Sequence, residues 1–465
     1  MKVLLCGINA RNIHAGPALY SLSRAAAAKA LPCELMLREY ALHTPTQHIL
    51  ADIYAAKPDL LGLSMYIWNA EFISQLTGDL KKLLPHTRII LGGPEASCRA
   101  EYYLRSLPVE AVCVGEGEDS FCCLLEKLCA AKEGDSFPAC DGFLVKGKEA
   151  EYRAAAPPDL DELPFIYDDD ISRMLAEKHK LVYYESSRGC PFACSFCASA
   201  RTALRERSLA KVMDELPRLA DIGGQVKFID RTFNADKKRA CTISRRILEL
   251  ARPGLSWHFE VSPFVLDQEL VDIWNSAPEG YLHLELGVQT LYPKALATVG
   301  RHGDFVKAEP LVKQLIDAAR CHVHLDLIAG LPGDTPDGFS ASFHHLHQLS
   351  PDYLQFGFLK VLPGSYLAGQ AEELGLVYGD KPPYQILYTP DMPAEHLFAL
   401  HRAERVFNAM YNKTHQWRPL LLAEAAKRGD ALSIYMEAAE MAPGDRGLNP
   451  AEVEMIVEKV TGRQE

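Results

Sequence analysis

A chain of 465 residues with 48% apolar and 24% charged side chains holds enough apolar mass for two or three domain cores, which excludes a disordered or fibrous protein. The formal net charge of -12 gives no general attraction for nucleic acid, although Arg201, Arg205 and Arg207 read either as a solvated helix face or as a basic patch near an anionic ligand. Thirteen cysteines behind the opening MKVLLCGIN, whose apolar core is too short for a signal peptide, predict a reducing cytoplasm, and no apolar run approaches membrane-spanning length.

Apolar runs at 3–8, 33–40, 60–66, 88–91 and 111–114 alternate with helical patterns and predict a parallel, Rossmann-like α/β domain over residues 1–135. Ligands of such sheets sit beyond the carboxyl ends of the strands. The loops expected there carry Asn9, Asn12 and His14 after the first strand, and Ser64, Tyr66 and Asn69 after the third. Gly92, Gly93, Pro94 and Glu95 follow the fourth, and Gly115, Glu116 and Gly117 the fifth. Residues 136–178, with Pro157-Pro158, Leu163-Pro164 and the acidic Asp168, Asp169 and Asp170, read as a tether.

Over residues 179–375 the pattern repeats strand then helix, with strands at 181–184, 227–229, 256–261, 282–288, 322–328 and 353–359. About six β/α units fall short of a closed eight-fold barrel, so an open partial barrel is expected. After its first strand comes Arg-Gly-Cys-Pro-Phe-Ala-Cys-Ser-Phe-Cys, which spaces Cys190, Cys194 and Cys197 as C-x3-C-x2-C. A closed structural zinc site needs four ligands, and no second pair follows at that distance. Three thiolates on a 4Fe-4S cluster instead leave one iron open to a small ligand. Asp230, Glu260, Gln289, Asp326 and the Gly330-Leu331 turn stand at strand ends, with Arg301 in a nearby loop. Singly, each carboxylate also reads as a helix N-cap or surface group, and Arg301 as an ion-pair partner.

Residues 372–393 read as a loop, and residues 385–465 as a helical domain. Its last helix opens at Asn449, with Pro450 in the first turn and Glu452 three residues on. The helices read as a packing domain. Tyr384, Tyr388, Trp417 and Arg418 are candidates both for its core and for the substrate side.

The cysteine spacing, with Phe196 just before the last cysteine, resembles the signature of radical S-adenosylmethionine (SAM) enzymes. Ahead of it, LGLSMYIWN, ILGGPEAS and VGEGEDSF come in the order seen in cobalamin-binding domains. The whole layout resembles a subgroup of cobalamin (B12)-binding-domain radical SAM proteins with a helical C-terminal extension. That resemblance implies three cofactors: a 4Fe-4S cluster on Cys190, Cys194 and Cys197, SAM, and cobalamin. It implies SAM contacts from Phe196, from Asp230 to the amino group, from Glu260, Gln289 and Asp326 to the ribose, from Arg301 to the carboxylate, and from Gly330 and Leu331 to adenine. Many relatives carry a second acid where this chain has Arg231, and the D-x-H-x-x-G pattern that supplies a histidine to cobalt is absent. Cobalamin is therefore expected without a histidine below the metal, and His14 reads equally as a loop histidine or a cofactor contact.

The implied chemistry is reductive cleavage of SAM to a 5′-deoxyadenosyl radical, followed by C-methylation of an unactivated carbon. Two alternatives stand beside it: a radical oxidation, cyclisation or rearrangement without methyl transfer, of the coproporphyrinogen-oxidase kind, and a non-catalytic cobalamin or iron-sulfur sensor. The expected partners are a small-molecule or peptide substrate and a flavodoxin, ferredoxin or reductase as electron donor, with neither nucleic acid nor a membrane.

Overall fold

The computed structural model describes residues 1–132, 134–444 and 446–462. The chain clusters into two compact units, Met1–Tyr183 with Glu206–Gln225, and Tyr184–Arg205 with the chain from Val226 onward. The helical region expected at 385–465 thus clusters with the barrel, and its last three positions lie outside the described residues.

In the first unit, β1 (Lys2–Asn9), β2 (Glu34–Ala41), β3 (Leu60–Ser64), β4 (Arg88–Gly92), β5 (Ala111–Cys113) and β6 (Phe143–Val145) form one sheet in the order β2-β1-β3-β4-β5-β6. The first five strands run parallel, while β6 pairs antiparallel with β5. β6 falls inside the stretch read as a tether, because three apolar residues between turn glycines are too short a signal to be legible. β1 is buried from Val3 through Ile8, as expected of a central strand covered on both faces. Leu4, Cys6, Ile8, Leu61, Leu63, Ile89 and Leu91 form the core with residues of the helices Thr46–Ala56 and Ala70–Leu83. Since β1 lies between β2 and β3, the strand order reverses there, the place at which open α/β sheets bind ligands beyond the strands' carboxyl ends.

The second sheet holds β7 (Val182–Tyr184), β10 (Gly224–Phe228), β11 (Leu255–Val261), β12 (Leu282–Gln289), β13 (His322–Ala329) and β14 (Tyr353–Phe358), in the order β14-β13-β12-β11-β10-β7. Six strands in sequential order make the partial barrel that was expected. Burial alternates along β11, β12 and β13. Trp257, Phe259, Leu284, Leu286, Val323 and Leu325 are wholly buried. The alternate residues are polar and half-buried, and they line up in rows across the sheet: His258, His283 and His322, then Glu260, Glu285 and His324, then Gly287 and Asp326.

β8 (Ser187–Cys190) and β9 (Thr202–Glu206) pair into a two-stranded ribbon that brackets the cysteine loop. This corrects the helix-face reading of the basic run, since Arg205 lies on a strand and Arg207 is buried beside Glu215 at 3.5 Å. The stretch read as a loop contains β15 (Val377–Tyr378) and β16 (Ile386–Tyr388), paired antiparallel. Helices Ala394–Phe407, Arg418–Arg428, Ala431–Met441 and Pro450–Thr461 follow, the last with the expected capping box of Asn449 and Glu452. Among the described residues no helix is long and apolar enough to cross a membrane.

Candidate functional site

The loop between β8 and β9 closes on itself by backbone bonds, Cys197 N–H to the Cys194 carbonyl at 3.0 Å and Arg201 N–H to the Phe192 carbonyl at 2.9 Å. The thiols of Cys190, Cys194 and Cys197 consequently face one cavity of about 260 Å³. Each sulfur has its own polar neighbour: the Thr232 hydroxyl 3.8 Å from Cys190, Arg301 Nη1 at 3.1 Å from Cys194, and the Ser199 N–H at 3.4 Å from Cys197. Burial pushes the Cys197 thiol up, against the pull of the Ser199 N–H and the Arg231 charge. Donors aimed at sulfur suit thiolates bound to metal. Among the described residues the set spaced to surround a single ion, with ligand atoms within 4.8 Å of one another, is Glu285, His324 and Asp326, not the three cysteines. Three cysteines with sulfur-directed donors and an open fourth side fit a 4Fe-4S cluster with one free iron.

Phe196, Glu260, Gln289, Arg301 and Asp326, all expected at the SAM site, line the same cavity. Gln289 ends β12 at a bulge and holds φ +76, a strained geometry for a side-chain-bearing residue. Opposite it, the missing side chain of Gly287 leaves room, since a Cβ there would lie 2.4 Å from Gln289 Nε2 and 3.6 Å from Arg301 Nη2.

Below these groups runs a charge network. Lys227 Nζ lies 3.1 Å from Glu285 and 3.7 Å from Glu260, and His258 Nε2 lies 2.8 Å from the Glu285 carboxylate. Burial pushes the Glu285 carboxyl up, but the His258 hydrogen bond and the Lys227 charge outweigh it and bring it down to about 2. Glu260 and Asp326 go the other way, raised by burial against the pull of Lys227 and His324 respectively. His324 Nε2 approaches Asp326 Oδ1 to 2.8 Å without hydrogen-bond alignment, and both atoms lack a hydrogen-bond partner among the described residues. A polar ligand in the cavity, which Asp326 lines, would satisfy Asp326 Oδ1.

The sequence assigned no role to the cavity-lining residues Glu285, Thr232, Phe264 and His302, and it marked Arg231 only as a departure from the resemblance. Glu285 was visible only as one polar position of the alternating run HLELGVQ, and Thr232 only as a neighbour of Asp230.

Other candidates lie elsewhere. Asp230 is buried outside the cavity lining and accepts from the Ser186 and Ser187 N–H groups at 2.7 and 3.0 Å and from the Ser186 hydroxyl. Gly330 and Leu331 sit beneath Ile386 and Leu397 and in the core, respectively, not on the cavity wall. Tyr384 and Trp417 are buried, Tyr388 is exposed, and Arg418 donates to the backbone carbonyls of Tyr411, Pro351 and Asp352. None of these four lines the cavity.

The expected cobalamin residues gather at the carboxyl ends of β1, β3, β4 and β5. Asn9 Nδ2 donates to Glu39 at 2.7 Å, Asn12 meets His43 at 3.2 Å, and His14 Nδ1 lies 2.6 Å from the Tyr183 hydroxyl. Asn69 is buried and staples the β3 turn, donating to the Ile8 and Ser64 carbonyls and accepting from the Tyr66 N–H. Tyr66 stacks on the exposed Trp68 at 4.3 Å. Gly93 holds φ +99, with space for a Cβ blocked by the Met65 carbonyl at 2.6 Å, so its backbone packs directly against that of the residue after β3, with Gly92 and Pro94 on either side. Glu95 turns inward to the Tyr103 hydroxyl at 2.6 Å, and the Gly115 N–H donates to Ser97, with Glu116 and Gly117 leading into the next helix. Close-packed glycine backbone beside a strand-order reversal stands where open α/β sheets bind their ligands.

Comparison with known proteins agrees with this geometry. The B12 binding domain model matches residues 7–125, the Radical SAM superfamily model residues 184–346, and a protein family of unknown function, DUF4080, residues 372–441. An uncharacterized methyltransferase of Pyrococcus horikoshii is 26% identical over 330 residues, covering 67% of this chain and 68% of its own length. The cobalamin-dependent radical SAM methyltransferase TokK of Streptomyces tokunonensis is 25% identical over 322 residues, 64% of this chain. The chain spans 46% of the length of TokK. The solved radical SAM methyltransferase TsrM from Kitasatospora setae, with cobalamin and a 4Fe-4S cluster bound, shares the fold with TM-score 0.65 and 18% identity, covering 85% of this chain and 80% of its own. The chain therefore carries a B12-binding domain ahead of a radical SAM domain.

Proposed function

We propose that this enzyme uses a 4Fe-4S cluster, SAM and cobalamin to methylate an unactivated carbon of a small molecule or peptide, with a flavodoxin- or ferredoxin-type donor supplying electrons. The observation that carries the reading is the gathering of Cys190, Cys194 and Cys197 with Glu260, Gln289, Arg301 and Asp326 around one cavity. When bound, the cluster and SAM supply a radical able to take hydrogen from carbon, and cobalamin supplies the methyl group.

The chain's own residues bind and orient. The three thiolates hold the cluster, leaving one iron facing the cavity. The half-buried carboxylates of Glu260 and Asp326 are placed to accept from ribose hydroxyls, and Gln289, locked at its bulge, adds a second donor and acceptor. Phe196 and Phe264 give the wall its apolar part and limit water. Lys227 balances Glu260 and Glu285, so the floor stays charged without ejecting a polar ligand. The relatives named as methyltransferases, at 25% and 26% identity, support methyl transfer, and cyclisation stands as the second reading because relatives named as cyclases also match, at 22% and 23% identity.

The test is anaerobic reconstitution with iron, sulfide and hydroxocobalamin, followed by reduction in the presence of SAM. About four irons per chain, bound cobalt, and release of both 5′-deoxyadenosine and S-adenosylhomocysteine are expected. Iron with deoxyadenosine but no cobalt would sink methyl transfer and leave the oxidation reading; cobalt and iron without SAM cleavage would favour a sensor.

A further inference from the structure

The resemblance alone puts Arg301 on the SAM carboxylate, yet the side chain engages the cysteine loop directly. Nη1 is 3.1 Å from Cys194 Sγ, Nη2 donates to the Gly287 carbonyl, and the guanidinium lies over the Phe264 ring, 5.1 Å from its centroid. The backbone that carries it is clamped to the same loop. Ser195 N–H donates to the Val299 carbonyl at 2.8 Å, and Gly300, at φ +63, comes so near that a Cβ would lie 2.9 Å from the Ala193 carbonyl. Arg301 N–H in turn caps the Leu296 carbonyl at 2.9 Å. The charge is therefore held at Cys194 by backbone contacts and a stacked ring, independently of any ligand.

We propose that Arg301 is a positioning residue of the iron-sulfur centre, whose charged hydrogen bond to the Cys194 sulfur raises the reduction potential of the cluster. The proposal rests on the radical SAM reading. Reduction adds one negative charge to the cluster, and a fixed positive group donating to a ligand sulfur stabilises that added charge. A guanidinium suits the task, because it stays protonated at every working pH and its planar fork holds the Gly287 carbonyl with one nitrogen while the other faces sulfur. The Ser199 N–H offers Cys197 a neutral donor at longer range, and the Thr232 hydroxyl, 3.8 Å from Cys190, donates to the Arg231 carbonyl, so Arg301 differs from both in bringing a formal charge.

The experiment compares the full-length reconstituted protein with Arg301→Lys and Arg301→Gln, measuring iron per chain and the electron paramagnetic resonance signal of the reduced cluster at stepped potentials without SAM. At the potential that half-reduces the wild type, the reduced-to-oxidised ratio should fall roughly tenfold in Arg301→Gln, about 59 mV for one electron. Arg301→Lys, which keeps the charge but loses the fork, should fall between the two. Unchanged midpoints with SAM affinity alone reduced would overturn the proposal and leave Arg301 as a carboxylate clamp. Loss of iron from both variants would also overturn it, assigning the residue to holding the loop. A wild-type chain that takes up no iron overturns the function proposed above as well, which separates the two failures.

Discussion

His283 sits in the histidine row of the barrel interior, and burial, reinforced by the neighbouring His322 and His258, pushes its pKa down from 6.5 to about 4. A depressed folded-state value means the unfolded chain binds the proton first, so the contribution is intact above pH 6.5 and is lost as the pH falls toward 4. The shift corresponds to roughly 3 kcal/mol. Urea unfolding at pH 7 and pH 4.5 should show His283→Gln losing less stability on acidification than the wild type; equal losses would exclude His283 as the titrating group. Gly287 makes a second prediction. An added methyl there displaces Gln289 and Arg301 without touching backbone, so Gly287→Ala should fold normally yet bind SAM about tenfold more weakly, roughly 1.4 kcal/mol by equilibrium dialysis. That the cysteines share one cavity with Glu260, Gln289 and Asp326 was legible because each closes a short motif. Asp230 bonds the Ser186 and Ser187 backbone, a role that its type and position suit as well as they suit a ligand contact.

At the scale of elements, the cysteine loop depends on its contact with residues 299–301. Gly300→Ala forces a positive φ on a residue with a Cβ and drives that Cβ into the Ala193 carbonyl, so either the loop or the 299–301 segment must move. The strain is roughly 1–2 kcal/mol. Reconstituted Gly300→Ala should lose iron to a chelator faster than the wild type while its far-ultraviolet circular dichroism is unchanged; an equal rate of loss would show that the contact does not hold the loop. The parallel strands were legible as apolar runs and the last helix as its capping box. β6, β8, β9, β15 and β16 were not: each has five residues or fewer, and their pairing is set by the partner strand, not by a local period.

At the scale of the molecule, the cysteines and Gly93 lie in different compact units. Their cofactors should therefore be separable. Gly93→Val, which meets the Met65 carbonyl, should abolish cobalamin uptake while iron content and deoxyadenosine formation survive. Replacing Cys190, Cys194 and Cys197 together should remove iron and SAM cleavage while cobalamin still binds, as read by its visible absorption. Loss of both cofactors from either variant would mean that the units do not load independently.

By itself, the sequence determined the fold class and the order of a nucleotide-type sheet before a partial barrel, and it marked three cysteines as one motif. Strand periodicity and a ten-residue motif are local properties that survive without knowledge of contacts. Only the tertiary structure decided which strand-end groups share one cavity, that Glu285 belongs to it, and that Arg301 is aimed at a cysteine sulfur. Those facts depend on strand register and on a bulge at Gln289, where a one-residue slip would turn every side chain to the opposite face.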